Sequence, residues 1–302
     1  MEKVIFHGWP NCLRLSNEEI ELIITTDVGP RVIRLGFINE DNEFKEFSEE
    51  LGITGGDTWH SYGGHRLWHS PEDNIRTYFP DNSPVAFRED SGWMKLTQQI
   101  ETTTGIQKEI DIRLFSQENH VRVVHRLINK NLWPVELAAW ALSVMAPGGK
   151  AILPLPPRGK HGETLLPSNS LSLWAYTDLS DPRWTFGEKY ILLQQDPGAS
   201  HPQKIGASVP DSWIGYARAG HLFIKKSKFI EGQSYPDFGC SMETFTNDQI
   251  LEVESLSPFI AVPPGDAIEH IEDWYLFKDV PEPENDDDVI KYVIPKVKET
   301  EK

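Results

Sequence analysis

Three histidines and an arginine crowd one short stretch of this chain. Gly55–Asp73 reads GGDTWHSYGGHRLWHSPED and carries His60, His65, Arg66 and His69 among two tryptophans and two Gly-Gly pairs. Histidine moves protons or binds metal near neutral pH. Arginine offers a planar fork that grips hydroxyls or carboxylates, and paired glycines let the backbone approach a ligand closely. His65 and His69 have the i, i+4 spacing of a zinc-protease helix. Arg66, however, stands where that motif places its catalytic Glu, and Gly63-Gly64 and Pro71 suit a helix poorly, so no metal site is expected. The segment reads as a ligand-binding loop, against the plainer reading that its rings only pack on a sheet.

Carboxylates supply the second possibility. Glu243 lies between Met242 and Thr244 in Tyr235–Leu256, on a strand near a turn. A carboxylate aimed into a cleft there would act as a general base, its pKa set by burial and neighbours. Glu252 and Glu254 share a face of the next strand and form a rival pair, although such a pair more often marks a solvated sheet face. Ten tryptophans form the third feature. Most would fill a core, while Trp68, Trp140 and one or so more would stack on the apolar face of a ring, with Asp237, Arg66 and the histidines binding its hydroxyls. That mixture suits a sugar better than a nucleotide, and no P-loop, G-x-G-x-x-G or G-x-S-x-G is present. Lys225, Lys226 and Lys228 read as a solvated strand edge rather than a phosphate site.

The elements that must position these groups are strands. No long segment keeps a helical apolar period, apart from a short helix expected around Glu40–Leu51. Strands are expected at Ile20–Thr26 and Arg31–Ile38 (turned at Val28-Gly29-Pro30), Ile106–Phe115, Val121–Leu127, Val135–Met145, Ser170–Tyr176, Tyr190–Gln194, Trp213–Ala217, His221–Lys225, Ile250–Ser255 and Ile268–Phe277. Pro147–Pro157 is expected as a long surface loop. Gly and Pro, 22 each, suit an all-β, turn-rich sandwich. Residues 1–280 read as a single β-sandwich domain. Residues 281–302 read as an acidic tail in which Ile290, Tyr292, Val293 and Ile294 could add a last strand. Acidic residues outnumber Lys and Arg by 46 to 29, a net charge of −17, which argues against a nucleic-acid partner. No apolar run reaches membrane-span or signal-peptide length, and two cysteines imply no disulfide framework, so a cytoplasmic protein with no membrane partner is expected.

At this point the residues resemble a family. Gly239-Cys240-Ser241-Met242-Glu243-Thr244 is similar to the segment that carries the catalytic Glu of aldose 1-epimerases (galactose mutarotases). Pro264-Gly265-Asp266 followed by Trp274-Tyr275-Leu276-Phe277 resembles their closing strand. Val121–Asn129 with Pro134 resembles their strand that ends in an Asn turn, and Gly63-Gly64-His65-Arg66-Leu67-Trp68 their arginine loop. The match keeps its order from Ile20 to Phe277 and points to an uncharacterised branch of the galactose mutarotase-like superfamily.

The resemblance implies a super-β-sandwich with few or no helices and a sugar site on a concave sheet, working without a cofactor. Glu243 would be the base that deprotonates the anomeric hydroxyl, a histidine would protonate the ring oxygen, and Arg66 would hold the ring. The family's two usual histidines have no counterpart here: the central strand reads AAWALSVMAPGG, and Thr77–Trp93 has no "HG". His65 or His69 would have to substitute. Three readings stay open: an aldose 1-epimerase-like isomerase, a non-catalytic carbohydrate-binding protein in which Trp140 fills the lost histidine's place, and a saccharide lyase or hydrolase. Geometry separates them, because the Glu243 enzyme needs a histidine nitrogen facing Glu243 across the cleft. If Arg66 does not bind a ligand, its expected role is that of a buried partner of Asp57, Glu72 or Asp73.

Overall fold

A computed structural model describes residues 1–301. The chain opens with β1 (Glu2–Phe6), β2 (Trp9–Ser16), β3 (Ile20–Thr25), β4 (Arg31–Phe37) and β5 (Gly64–Ser70), all in one sheet. It crosses to a second sheet for β6 (Ala86–Asp90), β7 (Trp93–Thr97), β8 (Ile106–Leu114) and β9 (His120–Asn129). From there it alternates between sheets. The first gains β10 (Val135–Met145), β12 (Leu171–Leu173), β15 (Gln203–Ala207), β18 (Met242–Thr246) and β19 (Leu251–Leu256), with β20 (Ile260–Val262) added to β10. The second gains β11 (Lys150–Pro154), β13 (Trp184–Phe186), β14 (Tyr190–Gln194), β16 (Trp213–Arg218), β17 (His221–Lys226) and β21 (Ala267–Phe277).

Every pairing is antiparallel, and the heart of the first sheet runs β5-β10-β19-β18-β15. Side chains alternate across a strand, so each of these five strands sends one set inward to the partner sheet and the other outward. The inward set, including Leu67, Ala139, Val253, Met242 and Ile205, joins Ile110, Val123, Phe223 and Trp274 of the second sheet in the main core. The all-β sandwich expected from the sequence is the fold observed.

Several local expectations change. Residues 40–51 form turns and single bridges rather than a helix, because Asn42 ties Leu35 and Phe44 through its side-chain oxygen and leaves no continuous helical ladder. Pro147–Pro157 is not a surface loop: Ala151, Ile152 and Leu153 are buried in β11, paired on both edges by β14 and β16. The GGHRLW stretch is not a loop either but the buried strand β5. Its Gly-Gly pair admits protein backbone instead of a ligand, since a Cβ on Gly64 would lie 2.9 Å from the Ile33 Cα.

Lys225 belongs to an interior strand, not a solvated edge. Its ammonium is fully buried and lies 2.9 Å from Glu272. The C-terminal segment is helical rather than a strand, with helices at Asp286–Asp288 and Ile294–Glu299 joined by a π-turn over Val289–Val293. Asn285 caps it, and Val289, Val293 and Val297 pack on Trp213 and Ile224. The acidic residues stay outside, and the spaced valines supply the buried face.

Candidate functional site

Two cross-strand rows form the floor of a cleft on the outer face of the first sheet. In one row Arg66, Leu142, Glu254 and Glu243 stand side by side on β5, β10, β19 and β18. In the next, Val144, Glu252, Phe245 and Lys204 stand on β10, β19, β18 and β15. Trp68 and Trp140 are paired in a third row, and with Trp59 and Tyr78 they build an aromatic wall. Tyr176 and Glu72 complete a cavity of about 370 Å³, large enough for a sugar-sized ligand.

The charges cross between the rows. Arg66 Nη2 donates to Glu252 Oε1 at 3.2 Å, and its guanidinium lies 4.3 Å from the Trp68 ring centroid. Lys204 Nζ lies 2.8 Å from Glu243 Oε2 and donates to Glu254 Oε2 at 2.9 Å, while facing the rings of Trp140 and Trp174. Burial works against the Lys204 charge, but the two carboxylates outweigh it and hold its pKa well above the usual lysine range. Glu243 is itself pushed well up by burial, against the pull of Lys204 and with the push of Glu254 and Asp237. Glu252 is raised to about 7, by burial first, with Arg66 opposing.

These neighbours differ in access. Glu243 and Glu254 have no exposed side-chain surface, whereas Glu252 keeps 10% of its own and lines the cavity. Asp237 lies against Glu243 on a turn with left-handed φ at Asp237 and Phe238, and its carboxyl is pushed up by burial. The structure thus brings Arg66, Trp68 and Trp140 into the cleft, with Glu243 and Asp237 behind it. The partner of Arg66 is Glu252, not Asp57, Glu72 or Asp73. Glu252 and Glu254 form the cleft floor rather than a solvated face.

His65 and His69 do not join them. Strand alternation sends both to the inner face, away from Glu243, while Arg66 and Trp68 take the outer face. His65 bridges the two sheets: Nδ1 lies 2.9 Å from Ser143 Oγ and Nε2 lies 2.7 Å from His125 Nε2. His125 Nδ1 faces the His270 carbonyl and so carries the proton, which leaves its Nε2 to accept from His65. Burial pushes His65 well below its ordinary pKa, so it is a neutral link in the core. His69 lies on the same inner face near Glu101 and Lys108, and burial lowers its pKa to about 4. Among the described residues no histidine lines the cleft.

One group has ligand atoms close enough for a metal: His65, His125 and the Glu272 carboxylate, within 4.8 Å of one another. Its atoms already satisfy each other. The two imidazoles are directly hydrogen-bonded, and Glu272 accepts from Lys225, Ser255 and the Trp274 indole. Lys204 was not anticipated as a site residue. Its strand, QKIGA, opens on two polar residues and carries one large apolar residue, so it gives no apolar run to mark it.

No known family model and no curated protein matches the chain. Solved structures match its fold. A galactose mutarotase-like protein from Clostridium acetobutylicum superposes with TM-score 0.54 at 11% identity, covering 92% of this chain and 98% of that one. A galactose mutarotase related enzyme from Lactobacillus acidophilus gives 0.54 at 8%, covering 90% and 99%. A TPR-domain containing protein from Parabacteroides distasonis gives 0.59 at 14%, and there this chain spans about half of the other, 48%. No helix among the described residues is long and apolar enough to cross a membrane. Two antiparallel sheets, the strand order and these superpositions agree: the chain has the galactose mutarotase-like fold.

Proposed function

We propose that this protein binds a saccharide ring in the cleft of its first sheet. The observation that carries this reading is the cavity itself: Trp59, Trp68, Trp140 and Tyr78 offer aromatic faces beside a floor of Arg66, Glu252 and Lys204. A pyranose presents an apolar face of C–H groups and a rim of hydroxyls that both donate and accept, and this lining supplies partners for each. The fold neighbours are mutarotase-related, which favours a sugar over other ring ligands. An aldose 1-epimerase built on Glu243 and a histidine finds no acid here, because His65 and His69 serve the core. Saccharide recognition does not depend on that pair.

Saturation-transfer NMR with a panel of hexoses, pentoses, uronic acids and sugar phosphates tests the reading. Transfer to the ring C–H protons of at least one sugar is expected, together with a change in tryptophan fluorescence. Neither response from any member of the panel would overturn it.

A further inference from the structure

Resting on saccharide binding in this cleft, we infer that the ligand is an amino sugar with a free ammonium group, which is held by the carboxylates of Glu252 and Glu72. Charge selects the class. Five carboxyl groups gather at the cleft, Glu72 and Glu252 in the cavity lining and Asp237, Glu243 and Glu254 behind it, against two bases, Arg66 and Lys204. Both bases are engaged, Arg66 by Glu252 and Lys204 by Glu243 and Glu254. A phosphate or uronate would meet no free cation among the described residues of the lining and would deepen the excess of negative charge. An ammonium group would relieve it.

One atom marks where the ligand's charge belongs. Glu252 is 7% exposed and lines the cavity, yet only its Oε1 is engaged, by Arg66; among the described residues its Oε2 has no hydrogen-bond partner. A nearly buried carboxylate oxygen without a donor is costly unless a ligand supplies one, and an ammonium brings three N–H donors on one compact charge. Glu72 lines the same cavity from the segment that follows β5. The Tyr78 hydroxyl donates to its Oε1, and among the described residues its Oε2 has no partner. Each of the two carboxylates is thus fixed by one oxygen and open at the other.

The surroundings fit a charged amine. Trp59, Tyr78 and Tyr176 line the cavity with these two acids, and aromatic faces attract an ammonium as well as the C–H face of a sugar. The acids themselves register the shortage of positive charge. Glu252 is brought to about 7 by burial first, and Glu254 and Glu72 add to the rise while Arg66 and Lys204 oppose it. Glu72 and Glu252 therefore feel each other's charge, and a cation bound to both removes that repulsion.

NMR titration at pH 7 tests the inference by comparing glucosamine and galactosamine with glucose, galactose, N-acetylglucosamine and glucuronate. At least one hexosamine should bind about tenfold or more tighter than its neutral parent sugar, as a charge-assisted hydrogen bond in place of a neutral one implies, and glucuronate should bind weakest. The chain's net charge of −17 attracts any cation, so the variant Glu252→Gln decides where the preference arises. It removes one of those charges, yet the ratio of hexosamine to parent-sugar affinity should fall several-fold or more. A hexosamine bound no tighter than its parent sugar, or a ratio that Glu252→Gln retains, would overturn the inference and leave saccharide binding standing. No binding by any sugar would overturn both. If Glu252→Gln fails to fold, Glu72→Gln, at an exposed position, decides by the same ratio.

Discussion

Arg66 stands in register with Leu142 and Glu254, yet its guanidinium turns to Glu252 in the next row, 3.2 Å away. The diagonal leaves Glu254 to Lys204, so each cation of the cleft floor is spent on carboxylates of the same sheet. Charge is thereby held at fixed points beneath an aromatic wall, and the row geometry of three strands decides which acid meets which base.

Arg66→Ala should weaken saccharide binding by about tenfold or more, since a charge-assisted hydrogen bond is worth roughly 1.5–3 kcal/mol. It should also raise the Glu252 pKa above about 7, because Arg66 pulls it down more than Lys204, the other cation near it, does. Titration calorimetry in two buffers of different ionisation heat reads both effects. Unchanged affinity would make the arginine a purely structural partner of Glu252.

The tryptophans divide into two populations, and truncation should separate them. Trp59 is half-buried at the cavity wall, with its ring edge-on to Tyr78. Trp59→Ala should lower saccharide affinity several-fold and leave the urea midpoint nearly unchanged. Trp274 is fully buried between the sheets against Phe44, His65 and Phe223. Trp274→Ala should cost about 3–5 kcal/mol of stability, as large-to-small core changes do. Equal stability losses would mean that the cavity wall is core.

Gly64 tests whether the Gly-Gly pair serves the fold or the ligand. Its φ is +72°, and an added Cβ would overlap the Val32 carbonyl. Gly64→Ala should therefore destabilise by more than about 1–3 kcal/mol, the strain of an unsuited backbone region plus the displacement of β4. Chemical denaturation measures it. A midpoint within error of wild type would return these glycines to a ligand-facing role.

The β-type runs bounded by turn residues were legible in the sequence, among them β3, β4, β9, β10 and β21, and so was the sandwich they form. Arg66, Trp68, Trp140 and Glu243 were each singled out in the sequence, and they share the outer face of one sheet, Glu243 lying beneath the cleft rather than in it. The error lay in reading GGHRLWHS as a loop. The same period that marks β5 as a strand puts Arg66 and Trp68 on one face and His65 and His69 on the other. Once the segment is a strand, its histidines cannot face the cleft alongside its arginine. Lys204 and the inward Lys225 escaped for a different reason. Lysine usually signals solvent, and only long-range partners, Glu243 and Glu254 for one and Glu272 for the other, make its burial tolerable. The C-terminal helix hid because Val289, Val293 and Val297 repeat every four residues behind an acidic run.

The inter-sheet histidines make a last prediction about acid stability. His270 donates from Nε2 to Ser255, whose hydroxyl donates to Glu272, and burial lowers the His270 pKa from 6.5 to about 3. His125, equally buried, is also lowered to about 3. The unfolded chain therefore takes up protons on these residues as pH falls below 6.5, and the folded chain does not until about 3. Their contribution to stability is complete above pH 6.5 and is lost progressively between there and about 3. Glu252 acts in the opposite sense, since its raised pKa lets the folded state bind a proton first, so wild type alone mixes the two effects. The variant His270→Gln keeps a donor for Ser255 and removes one titration. Between pH 7 and 4.5 wild type should lose roughly 2–3 kcal/mol more than His270→Gln in urea unfolding, about two pKa units' worth. Parallel pH profiles for the two proteins would mean that His270 is protonated, and so hydrated, in the folded state.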